Sequence, residues 1–550
     1  MKRLLFSTLA MSVCIIVHAG DAPKFDPQRL SDAVKTLSSD AYEGRGPATP
    51  AEDRTIEYVT AQFKAAGVQP GGDLKHGKRT WTQAVPLLRA EIVGTPTLTL
   101  NTRDGAKPLT QGEQIAVRAA MDGSKSVAFD DAPLVFVGYG VTAPERKWDD
   151  FKDVDLHGKI ALVLINDPDF ETGQGDFGGK AMTYYGRWTY KYEEAARRGA
   201  KGLLVIHETA PASYGWATVK NSNTNTMFDI VRAQPASVHP QMEGWIQRDF
   251  AVDLFKRAGL DFDALKKQAQ TRDFKPVELK GESLSAKYAV DARVITSHNI
   301  VGRVEGSERP DETVIYSAHW DHLGVGRPDA KGDRIYNGAV DNATGTAALI
   351  ALANAYGHGP KPKRSVVFLN VTAEEKGLLG SEYYAANPLY PLATTVGVLN
   401  MDALDPRGPA RNFTTSGSAK LDLLDDTIAA ARRMDISFSP DPKPEAGHFF
   451  RSDHFPFAKR GVPAISFGSG NDLVDGGIAA GEAMEQAYVT DNYHQPSDEW
   501  HADWSFTGMA RALQLLYTVG DELANSTRWP DWSQDSEFRA TRDETAAARK

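Results

Sequence analysis

The chain has 550 residues, a length that as a soft prior divides into roughly three or four domain-sized units. Hydrophobic residues make up 41% and charged residues 24%, a balance that excludes a disordered tail protein, a collagen-like chain and a polytopic membrane protein. Asp and Glu (72) outnumber Lys and Arg (62) for a net charge of −10, so a basic face for phosphate backbone is not expected and no nucleic-acid partner is predicted.

Residues 1–19 read as an export signal. Lys2 and Arg3 are followed by a mostly apolar run, Leu4 to Val17, and Val17-His18-Ala19 offers small residues at the cleavage positions. The run is short for a membrane span, so cleavage near Ala19 and a periplasmic or secreted protein, free of the membrane thereafter, are expected. Cys14 is the only cysteine and lies inside this segment. The mature chain would hold no disulfide and no thiolate, and any metal must sit on His, Asp and Glu.

Residues 20–90 form an N-terminal helical part. Pro50 to Ala66 places Ile56, Val59 and Phe63 three or four apart, with Gly67 as a stop. Residues 91–287 change texture to short strand-like runs, Leu134–Val137, Ile160–Ile165 and Leu203–Ile206, around one helix at about Arg187 to Arg198. Residues 288–533 alternate strand and helix. Strands are predicted at Thr313–Ser317, Ser365–Asn370, Val396–Asn400 and Ala464–Phe467, and helices at Thr344–Tyr356, Leu379–Ala386 and Lys420–Met434. The alternation predicts an α/β fold, a mostly parallel sheet sandwiched by helices, carrying the strand-rich middle zone as an insert. Residues 534–550, charged and Ala-rich, read as a solvated helix or tail.

In an open α/β sheet, ligands bind beyond the carboxyl ends of the strands. Here those ends run into Ala318-His319-Trp320-Asp321-His322, Thr372-Ala373-Glu374-Glu375 and Met401-Asp402, and Asp341-Asn342 precedes a predicted helix. Taken singly, an Asp before a helix is a cap, paired Glu residues start a solvated helix, and a His after a strand is a packed core residue. Four segments delivering imidazole and carboxylate to one edge are instead the ligand set of hydrolytic zinc, and two such ions can share a carboxylate.

The run Ser317-Ala318-His319-Trp320-Asp321-His322-Leu323-Gly324, followed by Gly338-Ala339-Val340-Asp341-Asn342-Ala343-Thr344-Gly345, resembles the co-catalytic zinc peptidases, the family of bacterial leucyl aminopeptidases and glutamate carboxypeptidase II. Thr372 to Ser381, Leu399-Asn400-Met401-Asp402 and Tyr493-His494 match in order. The run from Leu134 through Gly138-Tyr139-Gly140 to Gly158-Lys159-Ile160 gives the middle zone a weaker likeness to a protease-associated (PA) domain. The resemblance implies two zinc ions, with other divalent metals able to replace them. His319 and Asp402 would hold one, Glu375 and His494 the other, and Asp341 would bridge them. Glu374 would be the general base for a hydroxide between the metals. Asp321 is expected to orient the imidazole of His319, with His322 serving likewise or packing, and His454 or Tyr493 to donate to the oxyanion. Among Tyr184, Tyr185, Arg187, Trp188, Tyr190 and Tyr192, core packing competes with a role in lining the substrate entrance.

The expected activity is that of an exported metallo-exopeptidase acting on peptides, an aminopeptidase first. Arg407, Arg411 and Arg451 near the motifs leave a carboxypeptidase open, since it needs cations for the terminal carboxylate. Glutaminyl cyclases resemble the Asp453-His454-Phe455-Pro456-Phe457 segment but bind one zinc, against which the retained His319 speaks. A non-catalytic binding protein on the same fold is disfavoured by the full set of ligands and base.

Overall fold

A computed structural model describes residues 23–417 and 420–549, so the expected signal at 1–19 lies outside the described residues. The chain opens with helix α1 (Pro27–Leu37), whose Asp26 carboxylate accepts the Gln28 amide at 2.9 Å and whose first turn holds Pro27. Helix α2 (Pro50–Ala65) is capped by the Thr49 hydroxyl and stops at Gly67, which takes φ +75°. Strand β1 (Thr82–Thr102) then leads into the insert. There follow β2 (Ile115–Val117), β3 (Ser126–Phe136), β4 (Ile160–Leu164), helix α3 (Trp188–Arg197), β5 (Gly202–His207) and β6 (Met242–Gln247). Strand β7 (Val277–Val304) returns the chain to a C-terminal half built on β8 (Arg309–His319), α4 (Thr344–His358), β9 (Arg364–Val371), α5 (Leu379–Ala386) and β10 (Thr395–Met401). The rest is β11 (Asn412–Thr415), α6 (Asp422–Arg432), β12 (Ser437–Phe438), β13 (Ala464–Ser469), α7 (Gly477–Asp491) and α8 (Thr507–Asn525).

Twelve strands of one 16-stranded sheet run through both halves in the order β12-β11-β13-β10-β8-β9-β7-β3-β4-β5-β6-β2, and β1 pairs with β7 off this path. Strands β9, β8, β10 and β13 are parallel, as are β3, β4, β5 and β6, which is the mostly parallel α/β arrangement predicted. The insert sheet is covered on two faces. Ile160, Leu162 and Leu164 enter one apolar cluster and Ala161 and Val163 the other, the two-residue period of a strand buried on both sides.

The boundaries expected at 90/91 and 287/288 fall inside strands. β1 has 21 residues and β7 has 28, and they pair antiparallel from Asn101–Ser283 to Thr82–Ile300. Near its start β7 pairs with β3 of the insert, and at its end, from Ile300 to Val304, with β9. The composition shift near Lys287 marks a register irregularity within one strand, not a linker.

The tail is solvated in part: residues 543–548 are exposed, but two of its side chains are anchored. Phe538 is buried and stacks on Phe449 with ring centroids 5.9 Å apart, and the buried Arg542 guanidinium donates to the Thr395 carbonyl at 3.2 Å. Its charged composition hid one aromatic anchor and one arginine that ties down the start of β10. Among the described residues, no helix is long and apolar enough to cross a membrane.

Candidate metal centre

Five side chains from five segments meet beyond the carboxyl edge of the C-terminal sheet. His319 ends β8, Asp402 follows β10, Glu375 follows β9, Asp341 precedes α4, and His494 follows α7. Asp341 stands in the middle. Its Oδ1 lies 3.2 Å from His319 Nε2 and its Oδ2 lies 3.2 Å from His494 Nε2. His319 Nε2 is also 3.1 Å from Asp402 Oδ1, and His494 Nε2 is 3.2 Å from Glu375 Oε2. Two half-sites therefore share one carboxylate. The Glu374 carboxylate falls within 4.8 Å of the ligand atoms of His319 and Asp402.

The backbone around these residues is tightly specified. Gly338 takes φ +58°, and a Cβ there would lie 2.3 Å from the Asp341 carbonyl. Past it, the Asp498 carboxylate accepts the amides of Val340 at 3.0 Å and Asp341 at 3.1 Å. Before it, the buried Arg45 guanidinium donates to the carbonyls of Asn337 and Gly338, both at 2.7 Å, and of Trp320 at 2.8 Å. Arg45 reaches this point through Gly44, where φ is +65° and a Cβ would lie 2.4 Å from the Tyr336 carbonyl.

Charge defines what the centre can hold. Burial alone would push Asp341 up, yet hydrogen bonds from His319 and His494 hold its carboxyl well below the usual range. Glu375 is likewise opposed by burial and held at about 2 by His322 and His494. Burial works against charged imidazole, but the carboxylates raise His494 to about 10 and His319 well above its ordinary value. Buried carboxylates crowded at this distance require positive charge among them. Protonated imidazoles supply it in part; a divalent cation between neutral imidazole and carboxylate supplies it with better geometry. The donor set, all N and O, fits zinc, and His322 Nε2 is buried without a hydrogen-bond partner. Glu374 differs from the ligands, because burial and then Glu375, Asp402 and Asp453 raise its carboxyl well above the usual range.

Asp321 and His454 are placed differently from expectation. His319 Nδ1 meets the Asp321 backbone carbonyl at 3.1 Å, while the Asp321 carboxylate, 3.9 Å from that nitrogen, accepts the Glu374 amide at 3.1 Å. His454 is fully buried, does not line the cleft, and has neither ring nitrogen partnered; it packs edge-on against Phe449 at 4.6 Å. An oxyanion donor must face substrate, so that role is withdrawn from His454. Tyr493 does line the cleft and stacks on His494 at 3.9 Å. His322 approaches Glu375 with Nδ1 at 2.7 Å from Oε1. Ser452 donates to Asp402 Oδ2 at 2.6 Å, a contact the sequence did not single out. Arg45 and Asp498 were missed altogether. The only signal for Arg45 was its setting between Gly44 and Gly46, which marks a special backbone.

A cleft of about 350 Å³ opens on Glu374, Glu375, Tyr493 and His494. The insert forms its facing wall with Arg118, Arg187, Trp188, Tyr192 and Phe228. The predicted aromatic cluster thus divides: Trp188, Tyr192 and Arg187 line the cleft, whereas Tyr184, Tyr185 and Tyr190 pack against one another. Ion pairs fix the two walls, since Glu382 binds Arg460 at 2.8 Å from its own half and Arg232 at 3.3 Å from the insert. Of the three arginines flagged in the sequence, Arg407 and Arg411 are engaged elsewhere by Asp405 and Asp472, and Arg451 lines the cleft. Among the described residues, the side chains of Arg451 and Arg187 have neither an acidic nor a hydrogen-bond partner, and burial lowers Arg187 to about 10.

Residues 299–518 match peptidase family M28. A probable zinc metalloprotease of Leptosphaeria maculans is 28% identical over 207 residues, 32% of this chain and 47% of that protein. A probable glutamate carboxypeptidase of Arabidopsis thaliana is 32% identical over 146 residues, 26% of this chain and 19% of its own length. An aminopeptidase of Mus musculus is 34% identical over 113 residues, 20% and 14% respectively. In each case the match spans less than half the length of the relative.

Proposed function

We propose, on the premise that residues 299–518 are those of a family M28 metallopeptidase, that the protein is an exported dinuclear zinc aminopeptidase. The observation that carries this reading is the Asp341 carboxylate, with one oxygen 3.2 Å from His319 and the other 3.2 Å from His494. His319 and Asp402 would hold one ion and His494 and Glu375 the other, two ligand sets where a single-zinc cyclase needs one. Such ions supply a strong nucleophile at neutral pH and polarise the scissile carbonyl. The chain's own residues do the rest. Glu374, held by Asp321 through its amide, takes a proton at its carboxylate and returns it to the leaving amine. Tyr493, which lines the cleft, would donate its hydroxyl toward the carbonyl oxygen. The insert forms the wall that faces Glu374 and His494 across the cleft. Export rests on the charged start and apolar run of residues 2–17, and N-terminal sequencing of the mature protein tests it.

A second reading, a carboxypeptidase, is favoured by one observation: the unpaired Arg187 and Arg451 facing the cleft suit a terminal carboxylate. Both readings are tested by incubating the protein, with zinc and then with a chelator, in a pool of peptides with free and blocked ends. Metal-dependent ladders from free N-termini alone support the aminopeptidase. Shortening of N-blocked peptides from the other end transfers the assignment to the carboxypeptidase, and no metal-dependent shortening rejects both.

A further inference from the structure

Helix α7 leads directly to Tyr493 and His494, yet Gly481 is its only buried residue. Of the ten large apolar side chains most exposed among the described residues, five lie between residues 474 and 493: Val474 (40%), Ile478 (56%), Met484 (49%), Val489 (54%) and Tyr493 (44%). A helix this apolar is ordinarily covered. Helical spacing puts Ile478, Glu482, Glu485 and Val489 in one stripe, two acids bracketed by two aliphatics, all four exposed. Across residues 471–505 there are eight Asp and Glu and no Lys or Arg.

The charge decides what covers the helix. A second copy meeting it about a two-fold axis would set Glu482 and Glu485 against acids of its own kind, an arrangement that costs energy. A cationic, partly apolar chain would be attracted along the whole stripe. The site supplies such a chain, because Tyr493 lines the cleft and follows α7 directly, so a peptide leaving on that side would meet the helix. The helix, at about 1.5 Å per residue, offers some 20 Å of surface, the reach of about six extended residues.

We infer that α7 is a docking ridge for the distal part of peptide substrates that carry basic and aliphatic residues. The inference rests on the peptidase reading and adds a substrate class to it. Consider peptides sharing one N-terminal tripeptide but ending in Lys/Leu-rich, Glu/Leu-rich or Gly/Ser tails. The Lys/Leu tail should give kcat/KM about tenfold above the Glu/Leu tail at low salt, mostly through KM, with the ratio shrinking in 0.5 M NaCl. The double variant Glu482→Lys/Glu485→Lys should invert the preference, and Ile478→Ser/Val489→Ser should raise KM for the Lys/Leu peptide several-fold. A short chromogenic amino-acid anilide should be turned over equally by all forms.

Equal kcat/KM for the three tails, or an unchanged preference in the Lys variant, overturns the docking ridge. So does a wild-type dimer that Ile478→Ser/Val489→Ser converts to monomer by light scattering, because a second copy then covers the helix. If the wild type leaves the anilide and every peptide intact, the peptidase reading fails separately. Fluorescence anisotropy of the labelled Lys/Leu and Glu/Leu peptides on Glu374→Gln then decides the ridge by binding alone.

Discussion

Arg45 and Asp498 hold one loop from opposite sides. The guanidinium takes the carbonyls of Asn337 and Gly338 at 2.7 Å, and the carboxylate takes the amides of Val340 and Asp341 at 3.0 and 3.1 Å. Burial lowers Arg45 to about 10 and raises Asp498 to about 6, and the two charges favour each other across the loop. The shared carboxylate of Asp341 is thus aimed by residues drawn from the two ends of the chain.

Arg45→Lys keeps the charge but cannot reach the carbonyls of both ligand-bearing segments at once. Supporting partners of a metal site are typically worth about 10–100-fold in affinity. Zinc affinity, read by competition with a chromogenic chelator, should fall by that order while far-ultraviolet circular dichroism stays native. Unchanged affinity would show that the loop holds its shape without the fork.

Glu374→Gln removes a proton acceptor without removing a ligand. Turnover should drop by about 10²–10⁴ with metal content near wild type. Full turnover in a metal-replete Glu374→Gln protein would remove Glu374 from its role as base. Asp341→Ala, by contrast, should lower metal content at both positions, which elemental analysis reads directly.

His454 provides a pH prediction. Burial pushes its imidazole down to about 3, against 6.5 when exposed. The folded state refuses a proton that the unfolded chain accepts, so stability is complete above pH 6.5 and declines as pH falls toward 3. The loss at the acid end is bounded at roughly 5 kcal/mol. His454→Phe should move the midpoint of acid unfolding to lower pH and keep turnover within about threefold. A large fall in turnover with native stability would return His454 to the reaction.

Removing residues 534–549 takes away Phe538, which packs on Phe449, Phe455 and Trp532. Loss of a buried Phe typically costs about 3–5 kcal/mol. Phe538→Ala should therefore lower the thermal midpoint by several degrees, about 2–4 °C per kcal/mol at most for a chain of this size. An identical melting curve would mean that the tail is only lying on the surface.

The sequence alone determined the parallel strands of the C-terminal half, because runs such as Val366-Val367-Phe368-Leu369 must be buried on both faces and their carboxyl ends must carry the chemistry. It also placed His319, Asp341, Glu375 and Asp402 at those ends, and the resemblance of the motif order to the zinc peptidases added His494. Only the tertiary structure decided which carboxylate faces which imidazole, since Asp341 and His494 are brought to 3.2 Å by packing between distant segments. It alone placed Arg45 and Asp498 behind the loop, turned Asp321 toward the Glu374 amide, and sealed His454 and Phe538 in the interior. Those facts depend on contacts across the fold, and a buried polar residue leaves no period in the sequence to reveal its partner.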